Sequence, residues 1–508
     1  MYPGHWATLK PNTTAVLNCE TGVQLTWAEL EAQSNQVAQL LFARGLRPGD
    51  HVALLMENHL DYFTISWGAL RSGLYLTCIN RYLTASEVAY IVNDSCSSAL
   101  FVSSELPVAA ALEAHLHNCP HRFSKGAVAG YEAYQKLLDM QPNYPLAEQP
   151  MGDTLLYSSG TTGRPKGIKR PLTGQTIEHG IPGVEPNNPY GIDQHTRYLS
   201  PAPLYHAAPF GYCMRTLSLG GSVYMMERFD PQSSLKNIEH HQITHSQWVP
   251  TMFVRMLNLP TEVLGQYDLS SHQCAIHAAA PCPVEIKQRM MRWWGPILWE
   301  YYAGTERNGS TIISPEQWLE YPGSVGRAHS GTLHICDEAG NELPIGMEGL
   351  VYFEQTHRPF EYHNAPDKTT QATHPQQTSW TSLGDVGFIN SEGYLFLTDR
   401  KAFMIISGGV NIYPREIEDV LILHEQVQDV AVFGIPNPEF GEEVKAIIEA
   451  KPGTEKNEQL IEDITTYARE HLASYKVPKS IDFTDQLPRL PTGKLLKRLL
   501  RDPFWTKT

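Results

Sequence analysis

"LTWAELEAQSNQVAQLLFARGLRPGDHVALLM", residues 25–56, passes from a helix signal through a turn into a strand signal. Thr26 and Glu29 stand at capping-box spacing, where a hydroxyl and a carboxylate each satisfy a backbone N–H that a helix start leaves unpaired. An apolar stripe follows, and Gly45 marks the stop. "RPGD" (47–50) then turns the chain into "HVALLM" (51–56), an apolar run of strand length. The pattern repeats with Thr84 and Glu87 in "TASE" and with "SALFV" at 98–102. Such alternation predicts parallel-rich sheets with helices packed against them.

The rest of the chain is consistent with a large folded protein. Its 508 residues are 42% hydrophobic and 18% charged, a globular composition with length for more than one domain. A formal net charge of −15 disfavours nucleic acid or anionic membrane as a partner. No apolar run reaches the roughly 20 residues of a membrane span, and the first residues lack a basic-then-apolar leader, so a cytoplasmic location is expected. The eight cysteines form no CxxC pair, which disfavours zinc and a disulfide framework. Cys274 and Cys282, in "HQCAIHAAAPC" (272–282), read as buried thiols. The polar stretch "EYHNAPDKTTQATHPQQTSW" (361–380) reads as a surface loop.

Near residue 400 the organisation changes. "YPREIEDVLILH" reads as a helix with Pro414 in its first turn. "DVAVFGI" and "VKAIIEA" read as strands, and "EQLIEDITTYAREHLASY" as a helix. Residues 400–508 are therefore expected to form a compact second unit after a first unit of residues 1–399. Lys494 follows Pro491, Thr492 and Gly493, a context for a loop.

"YSSGTTGRPKGIKR" (157–170) has the composition of a phosphate-holding loop. It does not match Walker A: counted from Gly160, Pro165 replaces the second glycine, and Gly167 follows Lys166 where Ser or Thr is required. Ser158, Ser159, Thr161 and Thr162 still offer hydroxyl donors among glycines, which suits a phosphate clamp. Taken alone, the segment fits a solvated turn equally well.

Four later segments complete a pattern: "YYAGTE" (301–306), "LGDVGF" (383–388), "TDRKAFMIISGGVNIYPREIE" (398–418) and "PTGK" (491–494). Five motifs in this order resemble the adenylate-forming superfamily of acyl-CoA synthetases, amino-acid adenylation domains and luciferases, over essentially the whole chain. The resemblance implies an α/β fold: a large N-terminal domain of parallel-rich sheets with packed helices, plus a small mobile α+β C-terminal domain hinged near 400–403. It implies an ATP-dependent ligase that couples a carboxylic acid to AMP and then transfers the acyl group.

By the same resemblance, Ser158, Ser159, Gly160, Thr161, Thr162, Gly163 and Lys166 would hold the ATP phosphates. Ala279 and Tyr302 would line the adenine site, and Thr305 would bond the α-phosphate. Glu306 would hold Mg2+, a cation that prefers oxygen ligands. Asp385 would bind the ribose hydroxyls with Arg400 beside it, and Gly408 and Gly409 would flank a path for the CoA arm. Lys494 would neutralise charge as the carboxylate attacks. Ala402 departs from the family, many of whose members carry Asp or Lys two positions after the arginine. Outside the family context, Tyr302 fits a core aromatic, Asp385 a turn residue, and Lys494 a cation in a basic tail with Lys497, Arg498 and Arg501.

By the same resemblance, the acid pocket would be lined by His206, Phe210, Gly211, Val249, Pro250, His277, Ala278 and Ala303, with His206 in "PLYHAAP" closing over the carboxylate. His206 also fits a hydrogen-bonded structural histidine. The lining is largely apolar, which favours an apolar, bulky acid. Three functions are consistent with these residues: an acyl-CoA ligase, an amide-forming ligase resembling coronafacate–amino acid ligase, and a nucleotide-binding protein without catalysis. The first two would take CoA or an amine as acceptor. A carrier protein is a further acceptor compatible with adenylation.

Overall fold

The computed structural model describes residues 1–158, 165–185, 187–400, 403–407, 410–490 and 495–505. Both predicted capping boxes form: the Thr26 and Thr84 side chains accept from Glu29 and Glu87 N–H, and each glutamate returns a bond to the cap residue. The helices they start, Trp27–Ala43 and Ala85–Asp94, flank a sheet of six parallel strands among the described residues. His51–Leu55 is buried at all five positions, as a central parallel strand covered on both faces must be. Close helix packing explains Gly68: a Cβ there would stand 2.4 Å from Val37 Cγ1 and 3.0 Å from the Ser34 carbonyl. Beside it, fully buried Arg71 is neutralised by Glu31 at 2.6 Å.

A second sheet of nine strands has six adjacent parallel strands bordered by antiparallel edges among the described residues. Cys274–His277 and Leu298–Ala303 are parallel neighbours in it. Leu298–Ala303 then pairs antiparallel with Ser310–Ile313, which pairs with the edge strand Arg327–Ser330. Chain following the carboxyl ends of such parallel strands is where α/β folds place ligands.

Three smaller sheets complete the described residues. Leu156–Ser158, Lys166–Lys169 and Glu361–Tyr362 form an antiparallel ribbon. An antiparallel sheet contains Asp385–Ile389 paired with Leu395–Arg400. After residue 403 a separate sheet is built on the paired strands Val427–Asn437 and Gly441–Ala450. Its core of Ile405, Ile417, Leu421, Val430 and Ile464 is distinct from those of the preceding chain. The helices Pro414–Leu421, with Pro414 at its start, and Glu458–His471 cover it, as expected. The fold is α/β with parallel-rich sheets, packed helices and a C-terminal domain.

The segment 361–380 departs from the loop expectation. Glu361–Tyr362 is a strand, Pro366–Ala372 a helix and Trp380–Thr381 a strand. Tyr362 pairs with Ile168, and Pro366 supplies a pre-set φ at the helix start. All eight cysteines are free; Cys274 and Cys282 are buried.

Candidate active site

Tyr302, in Leu298–Ala303, donates its hydroxyl hydrogen to Asp385 Oδ2 at 2.6 Å. Asp385 is buried, begins its strand and pairs through the backbone with Arg400. Two residues far apart in the chain are thus joined by a charge-assisted bond, the stronger class. Beyond Tyr302 the chain turns through Gly304 and Thr305 to Glu306. A Cβ on Gly304 would lie 2.1 Å from Leu383 Cδ1 and 2.8 Å from Glu306 Oε2, so a side chain there would move the ends of both neighbours.

Glu306 is buried and accepts from the Tyr362 hydroxyl at 2.8 Å. Lys166 Nζ lies 4.9 Å from the centroid of the Tyr362 ring. Burial, and then Lys368, lower the Lys166 pKa below the ordinary lysine range, while Glu306 opposes the shift. Lys166, Lys368, Tyr362 and Glu306 therefore form one polar cluster beside the ribbon that flanks residues 159–164. Tyr362 and Lys368 escape sequence reading because their segment shows no periodicity. The one usable hint is that Tyr362 immediately precedes the turn dipeptide His363–Asn364.

The acid-pocket candidates separate by the phase of their elements. His206 is the N-cap of the Ala207–Ser218 helix, with its ring centroid 4.1 Å from that of Tyr205. Along that helix the partly open stripe is Ala208, Gly211, Tyr212 and Arg215, spaced as one helical face. Phe210 is turned the other way, buried in the core with its ring 6.0 Å from Tyr62. Val249, Pro250 and Ala278 are buried at the strand ends, whereas Ala279 and Ala303 are exposed there.

His277 is also turned away. It is fully buried, with Nε2 3.4 Å from Glu300 Oε2, which pairs with Lys287 Nζ at 2.7 Å. Burial, reinforced by Lys287, holds its pKa well below the ordinary histidine value. Ala279 adopts φ 74°, left-handed backbone that favours glycine, as does Arg307 at φ 51°. Strain of this kind clusters at ligand sites.

Ser159, Gly160, Thr161, Thr162, Gly163, Gly408, Gly409 and Lys494 lie outside the described residues, as do Lys401 and Ala402 at the expected hinge. The backbones of Ser158 and Arg400 are placed by pairing with Lys166 and Asp385. Among the described residues no three His, Cys, Asp or Glu side chains form a metal cluster. A single carboxylate such as Glu306 fits magnesium, which takes one or two protein carboxylates and completes its shell with substrate phosphates and water.

The description "AMP-binding enzyme" matches residues 4–357, and "AMP-binding enzyme C-terminal domain" matches residues 416–494. The chain is an AMP-binding enzyme. Among its relatives, the fatty acid–[acyl-carrier-protein] ligase ScoC of Streptomyces coeruleorubidus is 31% identical, over 98% of this chain and 94% of its own. The long-chain-fatty-acid–CoA ligase FadD13 of Mycobacterium tuberculosis is 31% identical over 98% and 97%. The anthranilate CoA ligase AuaEII, solved in complex with anthranoyl-AMP, superposes with a TM-score of 0.86 at 27% identity, covering 99% of this AMP-binding enzyme and 96% of that chain. Family membership makes this chain an adenylate-forming acid ligase. No helix among its described residues is long and apolar enough to cross a membrane.

Proposed function

We propose that this AMP-binding enzyme activates an apolar-bodied carboxylic acid with ATP and transfers the acyl group to CoA. In the first step a carboxylate oxygen of the acid bonds the α-phosphorus of ATP and pyrophosphate leaves. In the second, the CoA thiolate bonds the acyl carbon and AMP leaves. The observation that carries this reading is the joining of Tyr302 to Asp385 and of Glu306 to Tyr362 and Lys166 around one strand end. Acceptor choice draws on FadD13 and AuaEII, which are CoA ligases by name. ScoC uses a carrier protein by name, so that acceptor is an arm of the test.

Under this reading Tyr302 offers adenine a flat ring, and its bond holds Asp385 where ribose hydroxyls can be met. Thr305 donates to the α-phosphate, and Lys166 with residues 158–163 binds the outer phosphates. Magnesium, when bound at Glu306, supplies charge neutralisation for the phosphates. His206, at its helix start, borders the acid carboxylate. Residues 1–399 form the nucleotide and acid domain. Residues 400–508 form a mobile domain that brings Lys494 to the first step and presents Gly408 and Gly409 to CoA in the second.

A mass-spectrometric product screen tests it. ATP, Mg2+ and a panel of acids are supplied with CoA, a carrier protein or amino acids in turn. Thioester formed only with CoA upholds the reading; amides formed without CoA replace it. Lys494→Ala should slow adenylate formation by about 10²-fold or more while largely sparing transfer from a supplied adenylate. Equal loss in both half-reactions would remove that lysine from its role.

A further inference from the structure

The strand Leu298–Ala303 has two faces, because successive residues alternate across a sheet. Glu300 and Tyr302 share one; Trp299, Tyr301 and Ala303 share the other. The second face looks onto the partly open stripe of the Ala207–Ser218 helix, where the Tyr301 and Tyr212 ring centroids stand 5.8 Å apart. Both walls are graded in the same way. On the strand, exposed Ala303 lies at the carboxyl end and half-buried Tyr301 two residues deeper. On the helix, half-buried Ala208 lies in the first turn, and Gly211 and Tyr212 follow one turn deeper.

Gly211 opens the space between them. A Cβ built there would meet nothing within 4 Å, and its φ lies outside the left-handed region. Gly68, in contrast, is glycine because a neighbouring helix presses on it. Neither packing nor backbone geometry asks for glycine at 211, and glycine inside a helix is unfavourable. What the missing side chain provides is open volume on the helix face that carries Ala208 and Tyr212.

The two tyrosines end that volume. Behind Tyr212 stands buried Tyr190, with ring centroids 5.7 Å apart, and Tyr190 is 5.6 Å from Trp299. From the next helical turn the Arg215 guanidinium lies 5.7 Å from the Tyr212 ring centroid and donates to the Gly183 carbonyl at 3.4 Å. Tyr301 Oη accepts from Gln247 Nε2 at 3.1 Å, which fixes its ring. Two strand residues separate Ala303 from Tyr301, about 7 Å. Four helical residues separate Ala208 from Tyr212, about 6 Å. Two unrelated elements thus bring a tyrosine to the same depth, and the rings meet there.

We propose, resting on the acid-activating reading above, that the substrate is a compact apolar acid, a single ring or a short chain, whose body lies across Gly211 and ends against Tyr212 and Tyr301. A depth of about 6–7 Å takes one six-membered ring edge-on and stops a long-chain fatty acid. Gly211 and the two tyrosines are then specificity-determining residues: the glycine sets the width of the pocket and the tyrosines set its depth.

The test is acid-dependent ATP–pyrophosphate exchange with benzoic, cinnamic, hexanoic, dodecanoic and palmitic acids. The best of the first three should exceed palmitic acid by about ten-fold or more in kcat/KM. In Tyr301→Ala, and independently in Tyr212→Ala, that ratio should fall by about ten-fold as the longer acids gain. Tyr301→Phe keeps the ring and should keep the native preference. Gly211→Leu should raise KM for the ring acids several-fold and leave KM for ATP unchanged. Thermal melts confirm that each variant is folded. A native preference for palmitic acid overturns the proposal, as does a length preference that survives both tyrosine-to-alanine changes. A rise in KM for ATP rather than the acid in Gly211→Leu would set Gly211 beside the nucleotide and overturn its role. No exchange with any acid would remove the acid-activating reading and this inference with it.

Discussion

The two faces of one strand, Leu298–Ala303, are finished in opposite ways. On one, Tyr302 is bonded to Asp385 and Glu300 is paired with Lys287, while buried His277 beside it keeps both ring nitrogens without a hydrogen-bond partner. On the other, buried Gln247 bonds Tyr301 through Nε2 while its Oε1 has no hydrogen-bond partner. A bonded pair such as Tyr302–Asp385 is preorganised before its ligand arrives, whereas a buried group left unsatisfied, such as Gln247 Oε1, is costly until a partner meets it. The first suits a nucleotide common to a whole family.

The sharpest way to break the comparison is to damage the closed face. Glu306→Gln should cost about 10²-fold or more in kcat/KM for adenylate formation and raise the magnesium needed for half-maximal rate. An unchanged magnesium titration would contradict the metal assignment. Next in size is Gly304→Ala, whose new methyl must displace Leu383 and Glu306. Both contacts are ends of flexible side chains, so the expected result is a several-fold loss in kcat/KM for ATP, measurable by steady-state kinetics. Native kinetics in that variant would show that Glu306 need not sit where the turn holds it.

Tyr362→Phe should act more gently. Losing a charge-assisted bond leaves Glu306 ionised but less fixed, so magnesium demand should rise several-fold with little change in KM for the acid. An effect on the acid alone would place Tyr362 on the wrong side of the division. The smallest expected effect is in pH-dependent stability. Burial holds His277 well below its ordinary value, His272 at about 3 and His51 at about 4. The unfolded chain binds protons near pH 6.5 that these folded histidines refuse. Stability should therefore be full above that pH and fall as pH drops, by up to about 1.4 kcal/mol per unit for each histidine. The His51 contribution levels off near pH 4. Denaturant midpoints that stay flat between pH 6.5 and 5 would contradict this burial.

Legibility in the sequence follows the same division. The capping boxes at Thr26 and Thr84 and the strand His51–Leu55 are local patterns, and they form where the pattern places them. The motifs around Tyr302, Glu306 and Asp385 are contiguous runs tied to nucleotide chemistry. Helix phase places Phe210 in the core, and strand register sets His277 beside Glu300. Tyr362 was hidden because its two-residue strand is too short to show a period. Tyr302 and Asp385 meet only through folding, and no local pattern links them. Long-range pairing of single residues is the part of a site that sequence periodicity does not carry.

The central claim, activation of a carboxylate through an adenylate, is tested most directly by isotope transfer. The acid is supplied with its carboxylate oxygens labelled with 18O, together with ATP, Mg2+ and CoA, and the nucleotide product is weighed after a single turnover. Adenylate formation predicts AMP carrying one labelled oxygen, since the attacking oxygen stays on phosphorus when the thiol takes the acyl group. Unlabelled nucleotide, with the label in inorganic phosphate, would show attack at the γ-phosphorus and contradict the account.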